Sequence, residues 1–167
     1  MMARVSLILG GARSGKSARA LSLATGPKTF LATGQAFDSE MTDRIQAHQA
    51  ERGPEWQLIE APLDVVEPIG AHKEGSLVVD CLTLWLNNLM YHERDIGAES
   101  QKLIAALGQC GHVILVSNEV GLSIAPDNVL ARRFRDEQGR LNQRIAQVAD
   151  HVEFIAAGLP LTLKGTP

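Results

Sequence analysis

Short apolar runs recur along this chain, separated by stretches long enough to hold a helix. Val5–Leu9, Thr29–Ala32, Gln57–Ile59, Leu77–Val79, Val113–Val116, Val152–Ile155 and Leu161–Leu163 predict strands. Amphipathic segments between them predict helices at Lys16–Ala24, Ser39–Glu51, Leu82–Met90, Ala98–Leu107 and Ala131–Ala149. Strands that alternate with helices build βαβ units. The expectation is therefore an α/β domain of three layers: a mostly parallel sheet of about seven strands with helices on both faces. The run Leu159–Lys164 follows its predecessor after only an Ala-Gly turn, which predicts an antiparallel edge hairpin at the carboxyl end. Pro62–Gly75 is the least regular stretch and reads as a surface helix or loop. Gly139, inside the last predicted helix, is the place to expect a kink or break. With no repeat, low-complexity tract or dividing linker, residues 1–167 read as one domain.

The first apolar run leads straight into Gly10-Gly11-Ala12-Arg13-Ser14-Gly15-Lys16-Ser17, which fits the phosphate-loop pattern G-x-x-x-x-G-K-[ST]. A strand before it and a helix after it supply the context that the pattern requires, and point to a P-loop NTPase-like fold. Gly10 and Gly15 let the backbone turn tightly with its N–H groups inward, where a side chain would block phosphate oxygens. Lys16 can reach the β- and γ-phosphates, and the Ser17 hydroxyl can ligate Mg²⁺. These residues predict a bound nucleoside triphosphate.

Two further features carry candidate chemistry. Leu77-Val78-Val79-Asp80 is an apolar strand ending in a carboxylate, placed to hold Mg²⁺ beside the phosphates, to cap the helix that follows, or both. Arg44, His48 and Arg52 fall at i, i+4 and i+8 of the segment Asp38–Arg52, which reads as a helix with a polar start, so they share one face. Flanking guanidinium groups favour a neutral imidazole, which can attack phosphorus. The same stripe is also what an ordinary solvated helix face looks like. His72, His92, His112 and His151 show no ligand-like pairing and read as structural.

Composition narrows the picture by exclusion. Hydrophobic residues make up 45% and charged residues 21%, as in ordinary globular domains. A formal net charge of −3 gives no global pull toward nucleic acid or an anionic membrane. Cys81 and Cys110 lack C-x-x-C spacing and read as small core residues. Met1–Arg4 runs directly into the first strand, and no apolar run approaches the roughly 20 residues of a membrane span. The expected location is the cytoplasm.

Taken together, the motifs resemble the bifunctional adenosylcobinamide kinase/adenosylcobinamide-phosphate guanylyltransferase family of cobalamin biosynthesis. The resemblance runs through nearly the whole chain. After the phosphate loop come Ala32-Thr33-Gly34-Gln35, then Asp38-x-Glu40-Met41-x-x-Arg44-Ile45-x-x-His48, then Arg52, Trp56 and Glu60. Asp80-Cys81-Leu82-Thr83, Asn118-Glu119-Val120-Gly121 with Ile124 and Pro126, and Arg133-Phe134-Arg135-Asp136-x-x-Gly139-Arg140-x-Asn142-Gln143 follow. The resemblance implies GTP, ATP and Mg²⁺ as cofactors, adenosylcobinamide and its phosphate as substrates, and a homotrimer. It assigns catalytic roles to His48, as carrier of a guanylyl group, and to Lys16. It assigns nucleotide contacts to Gly10 through Ser17, to Thr33, Gly34 and Gln35, to Gln49, Ala50, Glu51 and Arg52, and to Glu60 and Asp80. Metal contacts fall to Ser17 and Asp80. Ser123 departs from the family pattern Asn-Glu-Val-Gly-x-Gly and puts the backbone of that loop in question. Two other readings of the phosphate loop stand beside this one: a simple small-metabolite kinase, and a nucleotide-dependent regulator.

Overall fold

Seven strands form one sheet in the order β3-β2-β4-β5-β1-β6-β7. They are β1 (Arg4–Gly10), β2 (Lys28–Ala32), β3 (Trp56–Glu60), β4 (Ser76–Asp80), β5 (His112–Asn118), β6 (His151–Ala156) and β7 (Leu159–Lys164). This computed structural model describes residues 4–35 and 53–166. The helix expected over Ser39–Glu51 lies outside them. The described helices are α1 (Lys16–Ser22), α2 (Val66–Ala71), α3 (Leu82–Tyr91), α4 (Ile96–Leu107) and α5 (Val129–Val148).

β1 to β6 pair in parallel; only β7, paired with β6, is antiparallel. The turn between these two is Ala157-Gly158, with both residues at positive φ (52° and 75°), the backbone that a tight hairpin of matching twist demands. The central strands β1, β4 and β5 read as continuous apolar runs because both faces of the sheet are covered. Alternate residues separate into two cores. Leu7, Leu9, Leu31, Leu77, Val79, Val113 and Leu115 pack with Leu82, Trp85, Leu86, Leu103, Leu107, Leu141 and Ile145 from α3, α4 and α5. Ile8, Phe30, Val78, Ile114, Val116 and Ile155 pack on the opposite face with Ala20 of α1 and Ala24 beyond it. The three-layer α/β arrangement expected from the sequence is the one observed.

Element boundaries differ where burial gives no signal. α5 begins at Val129 because Asn128 Oδ1 accepts the Ala131 N–H at 2.7 Å, while Val129 and Leu130 stay exposed and add nothing to the apolar stripe. α4 likewise begins two residues before its expected start, capped by Asp95. The Pro62–Gly75 stretch contains α2, which tolerates Pro68 in its first turn, where no intrahelical donor is needed. Gly139 produces no break: α5 runs through it without interruption, tied down on either side by buried Gln138, Leu141 and Asn142.

Nothing lies within 4 Å of the position a Cβ would take at Gly139. We expect Gly139→Ala to stabilise the fold by about 0.5–1 kcal/mol, through the lower entropy of the unfolded chain. Urea unfolding of the two proteins measures this directly, and a loss of stability would contradict the packing described.

Candidate nucleotide site

Parallel pairing brings the carboxyl ends of six strands to one edge of the sheet, where α/β folds bind ligands. The register places Glu60 beside Ala32, Ala32 beside Asp80, and Asp80 beside Val116. Gly10, the last residue of β1, sits between Asn118 and Ile155. The sequence-predicted residues of the phosphate loop, of the segment after β2, and at the ends of β3 and β4 therefore meet at one rim.

The glycines of the loop have steric reasons. A Cβ at Gly10 would collide with Ser14 Oγ and stand 2.8 Å from the Ile155 carbonyl oxygen. Gly15 has φ 94°, and a Cβ there would come within 3.2 Å of Gly158 Cα. Arg13 also takes positive φ, at 53°. Left-handed residues among right-handed ones turn peptide N–H groups toward a common concavity, which suits an anion. No such restriction applies at Gly11, where a Cβ would meet nothing within 4 Å.

Lys16 opens α1 and folds back so that Nζ donates to the Gly11 carbonyl at 2.9 Å. Burial lowers its pKa, partly offset by the attraction of the Asp80 carboxylate. A desolvated ammonium bonded to one carbonyl has its remaining donors ready for an anion. Two polar atoms of the expected site are buried and unpartnered among the described residues: Ser14 Oγ and Gln35 Oε1. Buried polar atoms are rarely left so.

Asp80 does not cap α3. That task falls to Cys81, whose Sγ accepts the Leu84 N–H at 3.5 Å, so the capping alternative for Asp80 is corrected. Asp80 is half-buried beside Lys16, and among the described residues no side-chain hydrogen bond engages its carboxylate. Burial pushes the Cys81 thiol up to about 12, which keeps it protonated and inert. Cys110 is likewise a free, buried core residue. Among the described residues no three His, Cys, Asp or Glu side chains gather into a metal cluster.

Thr33 is fully buried and its hydroxyl is committed: it accepts the Cys81 N–H at 2.9 Å and donates to the Cys81 carbonyl at 2.7 Å. Asn88 of α3 donates to the Thr33 carbonyl at 2.7 Å and to Pro62 O at 2.9 Å. Thr33 thus ties the end of β2 to the turn after Asp80. Gly34 is half-buried and Glu60 is exposed on the rim. Glu119 donates its N–H to the Gly10 carbonyl at 3.0 Å, joining the segment after β5 to the phosphate loop. A buried network supports that segment: Ser117 Oγ donates to Asn142 Oδ1 (2.6 Å), Gln138 donates to both, and Asn142 Nδ2 donates to Asn118 O. Thr83 Oγ1 accepts the Asn118 N–H at 2.8 Å. Ser123 keeps negative φ, so the loop around it needs no glycine there.

His48, Gln49, Ala50, Glu51 and Arg52, with Arg44, lie outside the described residues. A concavity of about 530 Å³ lies between α3 and the start of α5, lined in part by Met90, Tyr91, Val120, Pro126, Phe134 and Arg135. It borders the site through Val120, next to Glu119.

A sequence profile of the cobinamide kinase / cobinamide phosphate guanyltransferase family matches residues 6–163. The chain belongs to this family. It is 45% identical over 169 residues to the bifunctional adenosylcobalamin biosynthesis protein CobP of Pseudomonas aeruginosa, covering 96% of this chain and 98% of that protein. Over 178 residues it is 38% identical to the bifunctional adenosylcobalamin biosynthesis protein CobU of Salmonella typhimurium, covering 95% and 98% of the two chains. Family membership makes the chain a bifunctional transferase. Among solved structures, the flagellar accessory protein FlaH of Methanocaldococcus jannaschii superposes with TM-score 0.53 at 11% identity, covering 99% of this chain and 80% of that one. The P4 protein of bacteriophage phi13 gives 0.52 at 12%, with coverage of 95% and 53%. At such identities the likeness concerns the fold alone. No described helix is long and apolar enough to cross a membrane.

Burial lowers the pKa of Lys16, so its charged ammonium costs the ligand-free fold desolvation energy that a bound triphosphate would offset. Lys16→Met should therefore leave the unfolding temperature of the ligand-free protein unchanged or raised, while abolishing the rise that a triphosphate produces in the parent. Differential scanning calorimetry with and without GTP reads both effects.

Proposed function

We propose that this chain phosphorylates adenosylcobinamide and then transfers GMP to the product, using one phosphate loop for both reactions. The observation that carries this reading is the loop itself: Gly10–Ser17, with Lys16 desolvated and Ser14 Oγ unpartnered, in a chain matching the family over residues 6–163.

In the first reaction the loop amides and Lys16 hold the triphosphate of ATP or GTP. The hydroxyl of the substrate's aminopropanol arm attacks the γ-phosphorus, and the bond to the β-phosphate oxygen breaks. Here the protein chiefly positions the reactants and neutralises charge that shifts toward the leaving oxygen. Ser17 and Asp80 are oxygen donors of the kind that Mg²⁺ takes, and both belong to this rim. When bound, Mg²⁺ would supply Lewis-acid neutralisation of the phosphate oxygens.

In the second reaction a neutral nitrogen of His48 attacks the α-phosphorus of GTP. The bond to the bridging oxygen breaks and pyrophosphate leaves, so GMP remains on the imidazole. An oxygen of the cobinamide phosphate then attacks the same phosphorus, the P–N bond breaks, and adenosylcobinamide-GDP forms. On the segment Asp38–Arg52, expected to be helical, Arg44 and Arg52 would flank His48, oppose its protonation and offer donors to phosphate oxygens. Gln35 Oε1, Glu60 and Gln49–Arg52 remain to contact the nucleotide beyond its phosphates.

GTP labelled at the α-phosphorus tests this reading. Parent protein should acquire acid-labile, base-stable label, discharged by adenosylcobinamide phosphate. His48→Ala should lose the label and guanylyl transfer but retain kinase activity. Full labelling of His48→Ala would exclude that residue as the nucleophile, and absence of label on the parent would exclude the covalent route.

A further inference from the structure

The strand β6 and the turn after it touch the phosphate loop at Gly10, Ser14 and Gly15, and grip the helix that follows it at Arg19. At the loop's start, Gly10 lies against the backbone of Ile155, close enough that a Cβ on Gly10 would stand 2.8 Å from the Ile155 oxygen. At its middle, the Gly158 N–H donates to the Ser14 carbonyl at 2.8 Å. One helical turn past the loop, Arg19 Nε and an Nη of Arg19 donate to the two carboxylate oxygens of Glu153 at 2.8 and 2.7 Å. Glu153 is only 1% exposed, and it projects on the same face of β6 as Ile155, the face that α1 covers.

A forked pair of this kind fixes angle as well as distance, because both carboxylate oxygens are engaged by one planar group. It holds Arg19, three residues after Lys16, against a strand anchored in the sheet centre by β1. The Gly158 contact acts on the loop more directly. In a planar trans peptide, C=O and N–H point in opposite directions. Fixing the Ser14 carbonyl outward on Gly158 therefore aims the Gly15 N–H inward. His151, fully buried, stands with Nε2 3.3 Å from Glu153 Oε1. Burial lowers the pKa of His151, and the neighbouring Glu153 carboxylate partly offsets that shift. The fork in turn holds Glu153 below the usual carboxylate range.

We infer that Glu153 and Arg19 are positioning residues for the phosphate loop: with the Gly158 turn, they hold its amides in the arrangement that receives the triphosphate. This rests on residues 10–17 being the triphosphate site. Neither side chain needs to touch nucleotide for the effect, since Arg19 spends its fork on Glu153.

Isothermal titration of the full chain with a GTP analogue blocked between the α- and β-phosphates, and separately with inorganic pyrophosphate, tests this on Arg19→Gln, Glu153→Gln, the double variant and Arg19→Lys. Each is measured well below its own unfolding midpoint. Both Gln variants should weaken the analogue and pyrophosphate alike, by about tenfold, the double variant should be no worse than either single, and Lys should fall between. The KM for triphosphate should rise in step while kcat holds, because the amides contact ground state and transition state alike. Lowered midpoints with unchanged affinities would overturn the inference and leave the pair a purely structural one. Additive losses in the double variant would overturn it too, since they would mean that the residues act separately. Should Glu153→Gln not fold, the partly exposed Arg19 variants decide the matter. Failure of the parent to bind pyrophosphate or the analogue would instead remove the loop assignment beneath it.

Discussion

The turn from Gly10 to Lys16 must aim its backbone N–H groups at a ligand instead of at one another, and most of the surrounding structure answers to that requirement. Amides left without partners cost free energy unless an anion replaces the missing bonds. Neighbours therefore fix the turn from outside: the Glu119 N–H on the Gly10 carbonyl, the Gly158 N–H on the Ser14 carbonyl, and the Ile155 backbone against Gly10. Each contact uses a carbonyl or a steric limit and leaves the inward amides alone.

Those outside contacts depend on strands that are not consecutive in sequence. β1 lies between β5 and β6, so the segments after β5 and β6 arrive on either side of the loop. The buried Ser117–Gln138–Asn142 network settles one of them, and the Arg19–Glu153 pair lies beneath the other. On the far side of β5, Thr33 clasps Cys81 and so sets the turn that presents Asp80 near Lys16.

Much of this fold was readable from pattern, because a sheet covered on both faces requires apolar strands and the intervening helices show their buried stripes. The phosphate loop was readable for a different reason: its glycines answer to local sterics that a short motif records. Pairings across long stretches of chain were not. Arg19 and Glu153 are 134 residues apart and each looks like an ordinary surface charge until the sheet order is known. Asp80 and Cys81 showed a similar limit, since a carboxylate before a helix is the natural cap, yet the cysteine takes that role. The first turn of α5 was hidden because Val129 and Leu130 are exposed there, so hydrophobicity and burial part company.

The central claim is that one phosphate cradle serves both transfers. Equilibrium binding of two unreactive analogues tests it most directly: an ATP analogue blocked between the β- and γ-phosphates, and a GTP analogue blocked between α and β. The account predicts one nucleotide bound per chain, each analogue displacing the other completely. A second nucleotide bound to the same chain, indifferent to the first, would contradict it.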